Sequence, residues 1–236
     1  MSNCWICNKN EAVTGEHIFK HSILRDMYGR SRLEKGDRLI IWEDKNHNGK
    51  IISSKKYIDS TDSGSLKFKK SLCHYCNGAK SQKWDDQFDI FLRYLLENYK
   101  TLLVDGYIDL GQSMPNFSKT DTRNLYNYFC KLFGCLLFTN GQSVPTGIVD
   151  AVNGSNYTNA LGLNIVFDVR LQSVSEPRDY LVNHELVGDT ANELNYRWAL
   201  GFDPIKIGFW FRTPAELVVG EQWFGKSKIV PFVKNI

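Results

Sequence analysis

The apolar positions of this chain follow two different periods. Trp84, Phe88, Phe91, Leu92, Leu95, Leu96 and Tyr99 recur at spacings of three and four, which predicts a long amphipathic helix over 78–103. The same period returns in Leu125, Tyr128, Phe129, Leu132, Phe133 and Leu136, behind a helix-start box at Ser118-Lys119-Thr120-Asp121, and stops near Asn140-Gly141. A short helix is expected over 21–28, ending at Gly29. Elsewhere the runs are short, rich in β-branched and aromatic residues, and punctuated by Gly, Pro and Asn. Segments 160–171, 180–187, 193–200, 205–212, 216–219 and 228–233 predict an antiparallel sheet packed on the second helix.

Ahead of the first long helix, 13–19 and 66–72 read as strands. Segments 38–42 and 50–53 flank Asn46-His47-Asn48-Gly49, a hairpin with an Asn-Gly turn. We take this hairpin as an insertion that forms a surface or substrate-facing loop. The expected class is α+β, with an N-terminal unit over 1–104 and a helix-plus-sheet unit over 105–236.

Composition narrows the setting. In 236 residues, 42% are hydrophobic, 13% aromatic and 23% charged, the balance of an ordinary globular protein with a sizeable core. No apolar run approaches a bilayer span and the N-terminus does not resemble a signal peptide, so a cytoplasmic protein without a membrane role is expected. The net charge of +3 is unevenly placed. Residues 1–100 carry 18 Lys and Arg against 13 Asp and Glu, and the remainder carries 11 against 13. A basic front half suits a polyanion such as nucleic acid, although a solvated surface has the same composition.

Four of the six cysteines form two Cys-x-x-Cys pairs, Cys4/Cys7 and Cys73/Cys76. Each such turn places two thiolates on one small loop, and two turns complete a tetrahedron, so a structural Zn²⁺ is expected. Cys130 and Cys135 stand in an apolar run and read as buried thiols. Between the pairs lies Glu16-His17. In an extended segment these side chains point to opposite faces, so one can ligate a metal while the other stays free beside it. Asn77 follows the last cysteine and would be fixed by the zinc. Glu16 has a plainer reading as a cap or a partner for a lysine, and His21 either contacts substrate or lies on the surface.

Cys-x-x-Cys, then Glu16-His17-Ile18, then Cys73-His74-Tyr75-Cys76-Asn77-Gly78-Ala79-Lys80 resembles the zinc-bearing branch of the HNH endonucleases. The resemblance covers residues 4 to about 90. Lys20 stands where the family often has Pro, and 66–70 lacks the family's middle Asn. The likeness implies a treble-clef-like ββα-metal module at the N-terminus. It implies Glu16 and Asn77 as ligands of Mg²⁺ or Mn²⁺ and His17 as the base that activates water. Lys80 would hold a neighbouring phosphate as a point charge. The implied activity is metal-dependent hydrolysis of phosphodiester bonds, in DNA first of all. Two alternatives stand beside it. One is a non-catalytic zinc-finger module that binds nucleic acid or a partner protein. The other, from the company the family keeps, is a defence nuclease gated by its C-terminal half, through which a protein partner or a second copy would act.

Overall fold

The structure, a computed structural model, describes residues 2–29, 39–47, 50–114, 116–154, 161–168, 181–189, 195–202, 205–212 and 222–235. The Asn48-Gly49 turn and the 216–219 segment lie outside these residues. The protein is α+β, and among the described residues it has five α-helices and nine strands.

A long helix, Lys119–Thr139, is the axis of the fold. It starts at a full capping box, in which the Ser118 side chain accepts from the Asp121 backbone N–H and Asp121 accepts from the Ser118 backbone N–H. From Leu125 to Leu137 it is buried on every side, as a helix between two layers must be. One layer is the helix Gln82–Asp105, where Phe88 stacks on Tyr128 at 3.9 Å and Phe91 meets Phe129 edge-on. The other layer is the sheet, where Phe133 stacks on Phe209 and Phe211, and Tyr126 donates to the Leu161 carbonyl at 2.8 Å. In chain order the helices are α1 (His21–Tyr28), α2 (Gln82–Asp105), α3 (Leu110–Ser113), α4 (Lys119–Thr139) and α5 (Thr146–Val152). Gly29 and Gly106 end α1 and α2 with positive φ, a conformation that favours glycine.

The strands are β1 (Leu39–His47), β2 (Lys50–Ile58), β3 (Tyr107–Asp109), β4 (Leu161–Asp168), β5 (Leu181–His184), β6 (Val187–Asp189), β7 (Asn195–Phe202), β8 (Ile205–Phe211) and β9 (Ile229–Asn235). They form one sheet in the order β2-β1-β5-β7-β8-β4-β9-β3, with β6 on β7. This corrects the expected antiparallel sheet: β1 runs parallel to β5 and β4 runs parallel to β9, so the sheet is mixed. The cause is that β5 and β9 find their neighbours across long stretches of chain, which no local turn signal encodes. The expected hairpin is the antiparallel pair β1–β2, with His47 opposite Lys50. Through β1 it is the end of this large sheet and not a free-standing loop.

The N-terminal ribbon also departs from expectation. Residues 13–18 run beside 66–72, but they meet in isolated bridges, Thr14 with Leu72 and His17 with Lys67, and not in continuous strands. Three steps on the first segment face five on the second, so the ladder is interrupted by a bulge. Gly15 marks the spot: a Cβ there would lie 2.3 Å from the Phe68 carbonyl oxygen. Phe19 and Phe68 anchor the ribbon to the sheet through Phe202 and Trp198. No described helix is long and apolar enough to cross a membrane.

Candidate metal centre and the polar cluster beside it

The two cysteine turns are built by local backbone bonds. Asn8 N–H donates to the Cys4 carbonyl at 2.8 Å, with Asn8 at φ 51, and Asn77 N–H donates to the Cys73 carbonyl at 3.0 Å. Trp5 joins them, since its N–H donates to the Ser71 carbonyl at 3.2 Å. Its ring lies so close over α4 that a Cβ on Gly134 would stand 2.4 Å from it. The four sulfurs lie within 4.8 Å of one another, and Cys7 Sγ is 3.9 Å from Cys73 Sγ. A set of this kind can hold a metal ion. Burial raises the Cys4 and Cys76 thiols. At Cys7 the raising effect of burial is outweighed, mainly by the backbone N–H groups of Lys9 and Asn10, and its pKa falls to about 6. Cys130 and Cys135 are fully buried in α4, and burial raises both thiols.

Glu16 and His17 leave the ribbon in different directions. Glu16 is 6% exposed, and its Oε2 lies 2.7 Å from the ammonium of Lys131 on α4. Lys131 is completely buried and also donates to Asp85 Oδ1 at 2.8 Å, Asp85 Oδ2 at 3.0 Å and Ser81 Oγ at 3.3 Å. Lys20, in the position where the resemblance has Pro, reaches Asp85 Oδ1 at 3.1 Å. Two carboxylates and two ammonium groups therefore form one cluster, buried except at the half-buried Lys20. The plainer sequence reading of Glu16, a lysine partner, is realised here.

His17 turns toward α1 and Asp62. Its ring stacks on that of the half-buried His21, with centroids 5.2 Å apart. His17 Nε2 faces Asp62 Oδ1 at 3.5 Å, an ion-pair distance at which no hydrogen bond is formed. Asp62 is held in turn by Lys67 at 2.7 Å. Burial above all, then the charge of Lys67, lowers the His17 pKa and favours the neutral ring.

Asn77 does not cap α2 directly. Residues 77–81 form turns in which Lys80 N–H donates to Tyr75 O at 3.0 Å and Ser81 N–H to Gly78 O at 3.0 Å, and the helix begins at Gln82. Asn77 Oδ1 is buried and accepts no hydrogen bond from the described residues. A buried acceptor without a donor is costly, and a hard cation is one species that would satisfy it. Lys80, expected at a phosphate, bonds Asn153 Oδ1 at the end of α5, and Asn153 holds the first knuckle through the Ile6 carbonyl at 2.9 Å. Among the described residues, the four cysteines are the only group of three or more His, Cys, Asp or Glu close enough to share one ion.

Three residues of this neighbourhood were missed by sequence reasoning. Lys131 had a signal, because it is the only charge between Arg123 and the end of α4, in an otherwise uncharged helical run. Asp85 had a weaker one, beside Trp84 and one turn before Phe88 and Asp89. Asp62 had none, lying in a Ser/Asp/Gly loop. A cleft of about 270 Å³ opens beside the ribbon between Ile18, Lys67, Asn140 and His184. Comparison of the chain with protein-family models, curated proteins and solved structures gives no match.

Proposed function

We propose that the protein is a metal-dependent endonuclease of the HNH type, with a zinc-organised ββα-metal module, that hydrolyses phosphodiester bonds, in DNA first of all. The observation that carries this reading is the convergence of four cysteine sulfurs within 4.8 Å directly before Asn77, whose buried Oδ1 has no partner among the described residues. A Zn²⁺ bound to four thiolates at about 2.3 Å needs sulfurs about 3.8 Å apart, close to the 3.9 Å of Cys7 and Cys73. Zinc would lock the turn that carries Asn77.

Glu16 and Asn77 offer hard oxygen atoms of the kind Mg²⁺ and Mn²⁺ take. Such an ion, when bound, neutralises charge on the phosphate and on the leaving oxygen. The chain's own residues supply the rest. His17, kept neutral, takes a proton from the attacking water. Asp62 Oδ1, 3.5 Å from Nε2, would stabilise the ring by its charge once the ring has taken that proton. Lys67, beside Asp62, and the basic front half of the chain suit a phosphate backbone.

The ion pair of Glu16 with Lys131 favours a second reading: a non-catalytic zinc module in which Glu16 is structural. Incubation with supercoiled plasmid separates the two. The nuclease reading predicts nicking that needs Mg²⁺ or Mn²⁺, stops with EDTA, and disappears in His17→Ala while fold and zinc content persist. Undiminished cutting by that variant would exclude His17 as the base. Binding without metal-dependent nicking supports the second reading.

A further inference from the structure

Lys131 is the most unusual side chain in the core. Its neighbours along α4 are Tyr128, Phe129, Cys130, Leu132 and Phe133, so it is a lone charge in an apolar and aromatic run. Burying an ammonium is expensive unless every charge around it is matched, and replacing a buried ion network by apolar groups is often neutral or stabilising. Stability alone therefore gives weak grounds for a lysine here. Its geometry gives better ones. The ammonium lies 2.7 Å from Glu16 Oε2 and bonds both oxygens of Asp85 at 2.8 and 3.0 Å, with the Tyr128 ring 5.5 Å away. A carboxylate has about four lone-pair sites on two oxygens, and Lys131 lies 2.7 Å from Glu16 at Oε2. Lys20 supplies the second positive charge at Asp85, so Lys131 is shared and does not cancel Glu16 alone.

We propose that Lys131 is a positioning residue for Glu16: it grips Oε2, so that the carboxylate meets a divalent cation in one orientation, and it does so from the second half of the chain. This rests on the reading of Glu16 as a cation ligand. It makes α4 part of the site, so the nuclease module is incomplete without the C-terminal half. Partners that orient metal ligands typically change metal affinity by about 10–100-fold when removed.

The test is Mn²⁺ binding by the full-length protein, read from the electron paramagnetic resonance of free Mn²⁺, alongside the Mn²⁺ dependence of plasmid nicking. Glu16→Gln identifies the relevant binding event. Lys131→Met alone strands two buried carboxylates and risks misfolding, so Lys131→Met/Asp85→Asn, which removes one charge of each sign, carries the experiment with Asp85→Asn as its control. The proposal expects the double variant to bind Mn²⁺ at least about tenfold more weakly than the control. Its half-saturation in nicking should shift by the same factor, with unchanged zinc content. Lys131→Arg, which keeps the charge, should recover most of the affinity. Equal Mn²⁺ affinity in the double variant and its control, with binding still lost in Glu16→Gln, overturns the proposal. If the wild type binds Mn²⁺ through Glu16 but cuts nothing, the nuclease reading falls and the role of Lys131 stands. Absence of Glu16-dependent Mn²⁺ binding in the wild type overturns both.

Discussion

Lys131, Glu16 and Asp85 show how much one side chain can carry in this core. Removing the ammonium leaves two carboxylates buried at 6% exposure each, and breaking a buried pair in this way typically costs about 3–5 kcal/mol. Lys131→Ala should therefore lower the urea midpoint more than truncating an exposed lysine such as Lys83, which should change stability by less than about 0.5 kcal/mol. Equal midpoints would mean that water reaches the cluster and screens it. Gly134 is the second sensitive residue. A Cβ there would stand 2.4 Å from the Trp5 ring, so Gly134→Val should cost about 1–3 kcal/mol through overpacking and push the first cysteine turn away from α4. Equilibrium denaturation together with zinc content measures both effects.

At the level of elements, what local chemistry specifies could be read from the chain. The helix His21–Tyr28 ends at Gly29 and α4 starts at the Ser118/Asp121 box, because caps and C-terminal glycines act within a few residues. The cysteine turns are legible for the same reason, since each pair spans four residues. The parallel pairings β1–β5 and β4–β9 are not, because nothing near Leu181 or Ile229 states which distant edge it joins. The bulged ribbon is a middle case. The alternation of Leu66 and Phe68 predicted an extended segment, but the extra steps opposite Gly15 depend on how closely two backbones approach. Likewise Glu16 and His17 were visible as a dipeptide, whereas the partners Lys131 and Asp62 are set by the fold. Cys73→Ser tests the cysteine element: it should lose zinc and solubility together, as expected where metal binding supplies folding energy. Retention of a full equivalent of zinc would show that three sulfurs suffice.

On the scale of the molecule, one buried cluster runs from Cys4 through α2 and α4 to Phe232 on β9. The first knuckle rests on α4 through Trp5, the second reaches α5 through Lys80 and Asn153, and the ribbon rests on β7. A chain ending after residue 104 would expose Trp84, Phe88, Phe91 and Leu95 and leave Glu16 without Lys131. We expect that fragment to be insoluble or unfolded by circular dichroism, while the full chain unfolds in one cooperative step. A soluble fragment that cuts faster than the full chain would instead make the C-terminal half a gate. The central claim is that zinc holds Asn77 so that a second cation sits between it and Glu16, and anomalous scattering from crystals grown with Mn²⁺ addresses it most directly. The account predicts a zinc peak among Cys4, Cys7, Cys73 and Cys76 and a manganese peak between Glu16 and Asn77, with Lys131 still on Glu16 Oε2. A zinc peak with no manganese at Glu16, in crystals soaked to saturation, would contradict it.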